Sequence, residues 1–114
     1  MSIPVALDRL EDEIDRARGA PYLLTVGDDG RPHCVSVALR WDAGTLLADV
    51  GRTTAANATG RPLVAVVWPP RDPGELSLIV DATAATGPTA SIRLTPTSAV
   101  LHRGPPPDPP SDRL

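Results

Sequence analysis

Tyr22-Leu23-Leu24-Thr25-Val26-Gly27-Asp28-Asp29-Gly30-Arg31-Pro32-His33 is the stretch that settles the architecture of this chain. Its first five residues suit a pleated surface, and Gly27-Asp28-Asp29-Gly30 is a turn built from residues that accept positive φ. Residues 33–41 then alternate, with Val35, Val37, Leu39 and Trp41 on one face and Cys34, Ser36, Ala38 and Arg40 on the other. Asp42-Ala43-Gly44 makes a second hairpin turn, and residues 45–50 return as a third strand. Three consecutive antiparallel strands follow from this reading.

On the N-terminal side, Leu7, Leu10, Ile14 and Ala17 recur at helical spacing, which predicts an amphipathic helix over 3–18 stopped by Gly19 and Pro21. Beyond the third strand, residues 52–60 read as a helix of one or two turns with a threonine cap and a terminal glycine. Residues 63–68 form a nearly continuous apolar run, which predicts a strand buried on both faces. A loop over 69–74, a fifth strand over 75–84, and a sixth over 90–94, resuming at 99–102 after a break at Pro96, complete the domain. Residues 104–114 hold five prolines and read as a disordered tail. The sum is a mainly β domain over 1–103: six antiparallel strands, a leading helix, and a short helix between strands 3 and 4. A sheet this short must close into a barrel or pair with another chain to cover its edges.

Composition narrows the partners. The 114 residues carry 11 cations, all arginine, against 14 acids, for a net charge of −3, with no Phe and only Tyr22, Trp41 and Trp68 as aromatics. Nucleic-acid binding needs a basic excess or stacking rings, so it is disfavoured. No apolar run reaches the roughly 20 residues of a membrane-spanning helix. The acidic N-terminus does not look like a secretory signal, so a cytoplasmic location is the expectation. The single cysteine, Cys34, excludes an internal disulfide and reads as a packed apolar residue. His33 and His102 stand too far apart to suggest a metal site, and none is expected.

The ordered motifs resemble the flavin-binding split-barrel family typified by pyridoxamine 5′-phosphate oxidase, in a short actinobacterial-type form. The opening hairpin through Pro32-His33 carries the likeness. So do the short helix with Asn57, the run Arg61-Pro62-Leu63-Val64-Ala65-Val66-Val67-Trp68, and Leu78-Ile79-Val80-Asp81-Ala82-Thr83-Ala84. The resemblance implies a split β-barrel and a homodimer. It also implies FMN, or the deazaflavin F420, bound in a groove, and an oxidoreductase acting on an unidentified small molecule. By that resemblance, Val35, Ser36 and Val37 contact the ring, Leu47 and Ala48 add further cofactor contacts, and Arg40 stands for the closing lysine of the family's strand-two motif among the cofactor-binding residues. Arg52, Thr53, Thr54 and Asn57 then hold the phosphate at a helix N-terminus.

Departures from the family pattern bear on the chemistry. The oxidases' arginine–lysine phosphate pair is replaced by Thr53-Thr54, leaving Arg52 one position away, and their opening strand-two arginine corresponds to Val35. A phosphate dianion loses two or three contacts worth roughly 1.5–3 kcal/mol each. True pyridoxamine phosphate oxidation is therefore not expected. The alternative reading is a relic of the fold without catalysis or cofactor, serving as a small binding module. Trp41 and Trp68 read as anchors of the core or of a dimer interface. His33 reads as half-exposed, His102-Arg103 as a strand end in solvent, and Asp81 as an anion without an assigned role.

Overall fold

A computed structural model describes residues 2–17, 19–87 and 89–106. The two expected hairpins are present. β2 (Tyr22–Val26) pairs antiparallel with β3 (Pro32–Ser36), and Gly30 at φ 78 lets the chain reverse between them. β4 (Arg40–Asp42) and β5 (Thr45–Asp49) are joined by Ala43 and Gly44, at φ 47 and 87, the two positive values that a tight hairpin turn requires.

The sheet runs β3-β2-β6-β7-β8-β5-β4, with β6 at Leu63–Trp68, β7 at Leu76–Thr86 and β8 at Ser91–Arg103. Its two outer strands, β3 and β4, are joined in the chain by residues 37–39 alone, so the sheet must curl until its ends meet. The ends are linked by backbone and not by ladder hydrogen bonds. The result is a split antiparallel β-barrel, as the sequence predicts.

The strand count differs from six because the long second strand divides into β3 and β4, and because an unexpected β1 (Ser2–Pro4) pairs with residues 100–102 of β8. The helix expected over 3–18 is correspondingly shorter. After β1 come one 3-10 turn (Leu7–Arg9) and α1 (Leu10–Arg16); residue 18 lies outside the described residues. Leu10 is buried and Ile14 and Ala17 pack on the core, whereas Leu7 remains 45% exposed.

Inward rows build the core. Leu23, Val66 and Val80 stand side by side across β2, β6 and β7, each wholly buried, and Leu46 pairs with Leu94 across β5 and β8, both buried together with Ile92. Trp68 is buried in this core, and Trp41 packs at its edge. β6 is not buried on both faces: its residues alternate, and Leu63 is 75% exposed. Cys34 is also exposed, not packed, because β3 turns it outward.

Pro96 does not break the last strand. A bulge between Asp81 and Ala82 takes up the mismatch, with Ala82 opposite Pro96 and Asp81 opposite Ser98. Thr97 and Ser98 donate hydroxyl hydrogen bonds to the Asp81 carbonyl and carboxylate, both at 3.1 Å, which gives Asp81 its structural place. Gly104 to Pro106 carry no regular structure, and the rest of the expected tail, 107–114, lies outside the described residues. No described helix is long and apolar enough to cross a membrane.

Candidate functional site

α2 (Arg52–Gly60) forms where the sequence places it, but its N-cap is Gly51 and not a threonine. The first intrahelical bond runs from the Ala55 N–H to the Gly51 carbonyl at 3.0 Å, so the N–H groups of Arg52, Thr53 and Thr54 have no partner within the helix. They carry the partial positive charge of the helix end, and no acidic residue occupies that first turn.

Three side-chain ties hold the helix in place. Asn57 Nδ2 donates to Thr25 Oγ1 of β2 at 3.2 Å, and the Thr59 hydroxyl donates to that of Thr86 on β7 at 3.2 Å. Arg61 donates to the Asp28 carboxylate of the β2–β3 turn at 2.8 Å.

β3 ends the sheet, so alternate backbone N–H and C=O groups along its outer edge face no strand. Between residues 35–37 and residues 49–54 lies a cleft of about 360 Å³. It gathers six of the expected contacts: Val35, Ser36, Val37, Arg52, Thr53 and Thr54. Thr54 is 3% exposed and lines this cleft, and among the described residues no buried side-chain polar atom lacks a hydrogen-bond partner.

The remaining expected residues lie in two adjoining compartments. Arg40, Leu47 and Ala48 line one of about 380 Å³ that shares Asp49 with the central cleft. Asn57 lines the other, about 400 Å³ beneath the β2–β3 turn, which shares His33 and Thr53 with it. His33 is half-buried at that junction. Asn57 is a support for α2 more than a free contact, since its amide nitrogen is used by Thr25.

Asp49 and Arg93 are among the residues of this groove that were not foreseen. Asp49 could have been found from its outward position just before Gly51. Arg93 had no local signal, because it reaches the groove only through the pairing of β8 with β5, which sets it opposite Leu47. It donates to Asp42 at 3.1 Å and to Thr45 at 2.6 Å.

The largest cavity, about 520 Å³, is elsewhere, floored by Trp68, Leu78 and Leu101 and rimmed by Arg16, Glu75 and Arg103. None of the expected site residues lines it. Arg16 is paired with Glu13 at 3.1 Å, and Arg103 donates to the Gly74 carbonyl at 3.1 Å. His102 and Arg103 end β8 with Arg103 exposed, as the sequence reading has it, and the His102 ring lies 3.2 Å from the Ser2 hydroxyl. The cleft along β3, with its open backbone edge and the bare N-terminus of α2, is the better-built polar site.

An uncharacterized protein of Mycobacterium bovis is 40% identical to this chain over 106 aligned positions, covering 79% of this chain and 75% of its own length. A Mycobacterium tuberculosis protein, also uncharacterized, matches with the same figures. The chain belongs to their family. No protein-family model matches it.

Among solved structures, an F420 reductase superposes with a TM-score of 0.60 at 18% identity, over 73% of this chain and 90% of that one. The FAD-binding protein from Mycobacterium smegmatis superposes with a TM-score of 0.61 at 16% identity, over 90% and 100%. At these identities the likeness bears on the fold of this chain alone, the split barrel.

Proposed function

We propose that this protein binds a flavin-type cofactor, a flavin or a deazaflavin, in the groove between β3 and α2, and that it works as a homodimer. The observation that carries the reading is the set of three helix N–H groups without a partner inside the helix, on residues that line one cleft with residues 35–37. Those donors suit a phosphate. The open edge of β3 offers backbone donors and acceptors to ring carbonyls and nitrogens, and Val35 and Val37 supply an apolar wall. Two solved split barrels whose names specify F420 and FAD support this reading.

When bound, such a group supplies hydride transfer, so this chain's part is to orient the ring and shield it from water. The central cleft has His33 and Asp49 as titratable groups besides Arg52, with no hydrogen bond between the two. That favours chemistry centred on the cofactor, with a small molecule as substrate, over acid–base catalysis by side chains. It is also the observation that keeps a second reading in place, a binding module without turnover.

The homodimer rests on the outward face of β2, β6 and β7. There Tyr22, Leu24, Leu63, Ala65, Val67 and Ile79 form an apolar strip, with Tyr22 41% and Leu63 75% exposed.

Titrating FMN and F420 into the protein and its Arg52→Ala/Thr53→Ala/Thr54→Ala variant, read by fluorescence, tests the site. The variant should bind at least about tenfold more weakly, about 1.4 kcal/mol, with folding little changed. An unaltered titration removes the phosphate site. Cofactor binding without turnover of any substrate supports the binding-module reading.

A further inference from the structure

The cavity of about 520 Å³ has no part in the flavin-type reading, because none of its lining residues lines the cleft between β3 and α2. Its floor is one end of the sheet's inner face. Trp68 stands opposite Leu78 across β6 and β7, and Leu78 stands opposite Leu101 across β7 and β8. Trp68 and Leu78 are buried and Leu101 is half-buried.

Packing fixes two of the walls. Leu10 of α1 is wholly buried, and Ile14 and Ala17 pack on the core, which holds the helix over this end of the sheet. A Cβ at Gly19 would lie 2.1 Å from the Pro69 carbonyl oxygen, so the segment after α1 lies directly against the loop that follows β6. Small-molecule sites are commonly built this way, as a concave and mostly apolar space with a few charged groups at its mouth.

The charges at this mouth fall into two sets. Glu13 and Arg16 pair with each other at 3.1 Å. Arg103 and Glu75 take part in no ion pair among the described residues. Arg103 gives one N–H to the Gly74 carbonyl at 3.1 Å, which leaves most of its guanidinium fork for a ligand. The two residues are close in the fold, since Glu75 precedes Leu76, the residue opposite Arg103 in the β7–β8 ladder. They nevertheless do not close on each other. A ligand that matches this mouth carries one negative and one positive charge side by side, with an apolar body attached. An α-amino acid holds its carboxylate and ammonium on one carbon, and an apolar side chain on that carbon can reach the floor.

We propose that this cavity binds an apolar α-amino acid, with its side chain on Trp68, Leu78 and Leu101, its carboxylate on Arg103 and its ammonium on Glu75.

Calorimetric titration of L-phenylalanine, L-alanine, N-acetyl-L-phenylalanine and L-phenylalaninamide into the full-length protein tests it, alongside Arg103→Gln and Glu75→Gln. Both residues are exposed, so neither substitution disturbs the core. Phenylalanine should bind saturably, and the other three at least about tenfold more weakly, because each lacks one of the three contacts. Arg103→Gln should bring phenylalanine and its amide to equal affinity. Glu75→Gln should do the same for phenylalanine and its N-acetyl derivative.

Failure of phenylalanine to bind, as when a second copy covers the mouth, overturns the site and leaves the flavin-type groove standing. An amide or N-acetyl derivative that binds as tightly as phenylalanine overturns recognition of the paired charges, and alanine doing so overturns the apolar floor. Variants that shift no ligand, or all of them equally, overturn the roles of Arg103 and Glu75.

Discussion

The interior of the barrel and the groove along β3 solve different problems with neighbouring residues. Inside, Leu23 meets Val66 and Val66 meets Val80, all three with no exposure, and the side chains do the work by filling volume. In the groove, Val35, Ser36 and Val37 are half-buried or exposed, and what is offered is backbone: an unpaired strand edge and a bare helix N-terminus. The difference teaches where each kind of substitution should be felt. A change inside costs folding free energy; a change in the groove costs ligand affinity and leaves the fold alone.

The largest expected effect lies inside. Leu23→Ala removes a wholly buried side chain and should lower unfolding stability by about 2–5 kcal/mol, read from the denaturant midpoint. An unchanged midpoint would show that the inner face does not set stability, and the contrast would collapse.

The groove comes next. Thr54→Val keeps the shape of a 3% exposed side chain but removes its hydroxyl from the cleft. Cofactor affinity should fall about tenfold, about 1.4 kcal/mol, while the unfolding midpoint stays or rises. A lost midpoint with intact affinity would reverse the assignment of this residue from groove to core.

The smallest effect is expected at the tie between the two regions. Arg61→Ala breaks a pair in which Asp28 is 97% exposed, and such surface pairs contribute about 0–1 kcal/mol. Stability measurements should show little change. A loss larger than that would mean that the β2–β3 turn and α2 are coupled more strongly than their contacts suggest.

How much of this was legible in the sequence follows from the range of each interaction. The turns at Gly27–Gly30 and Ala43-Gly44, the bounds of α2, and the inward alternation of Val35 through Trp41 are local, and they were read correctly. Pairing across the chain was not. Ser2 to Pro4 become a strand only because residues 100–102 present an edge to them. Pro96 is accommodated by a bulge in β8, where Thr97 is the extra residue between the Asp81–Ser98 and Ala82–Pro96 pairs. Leu63 fits an apolar run, yet its face of the sheet is left uncovered by the chain itself.

Gly19 was read as a helix stop. Its stronger constraint is that a Cβ there would collide with the Pro69 carbonyl. In the groove, the nearness of residues 35–37 to residues 52–54 was reached through family resemblance and not through spacing. Asp49 and Arg93 entered it through the strand order.

The visible absorption spectrum of the protein as purified, taken with its mass in solution, tests the central claim most directly. The account predicts the bands of a bound flavin or deazaflavin on a particle of two chains, restored by adding FMN, FAD or F420 if the cofactor is lost in purification. A colourless single chain to which none of FMN, FAD and F420 adds any saturable signal would contradict it.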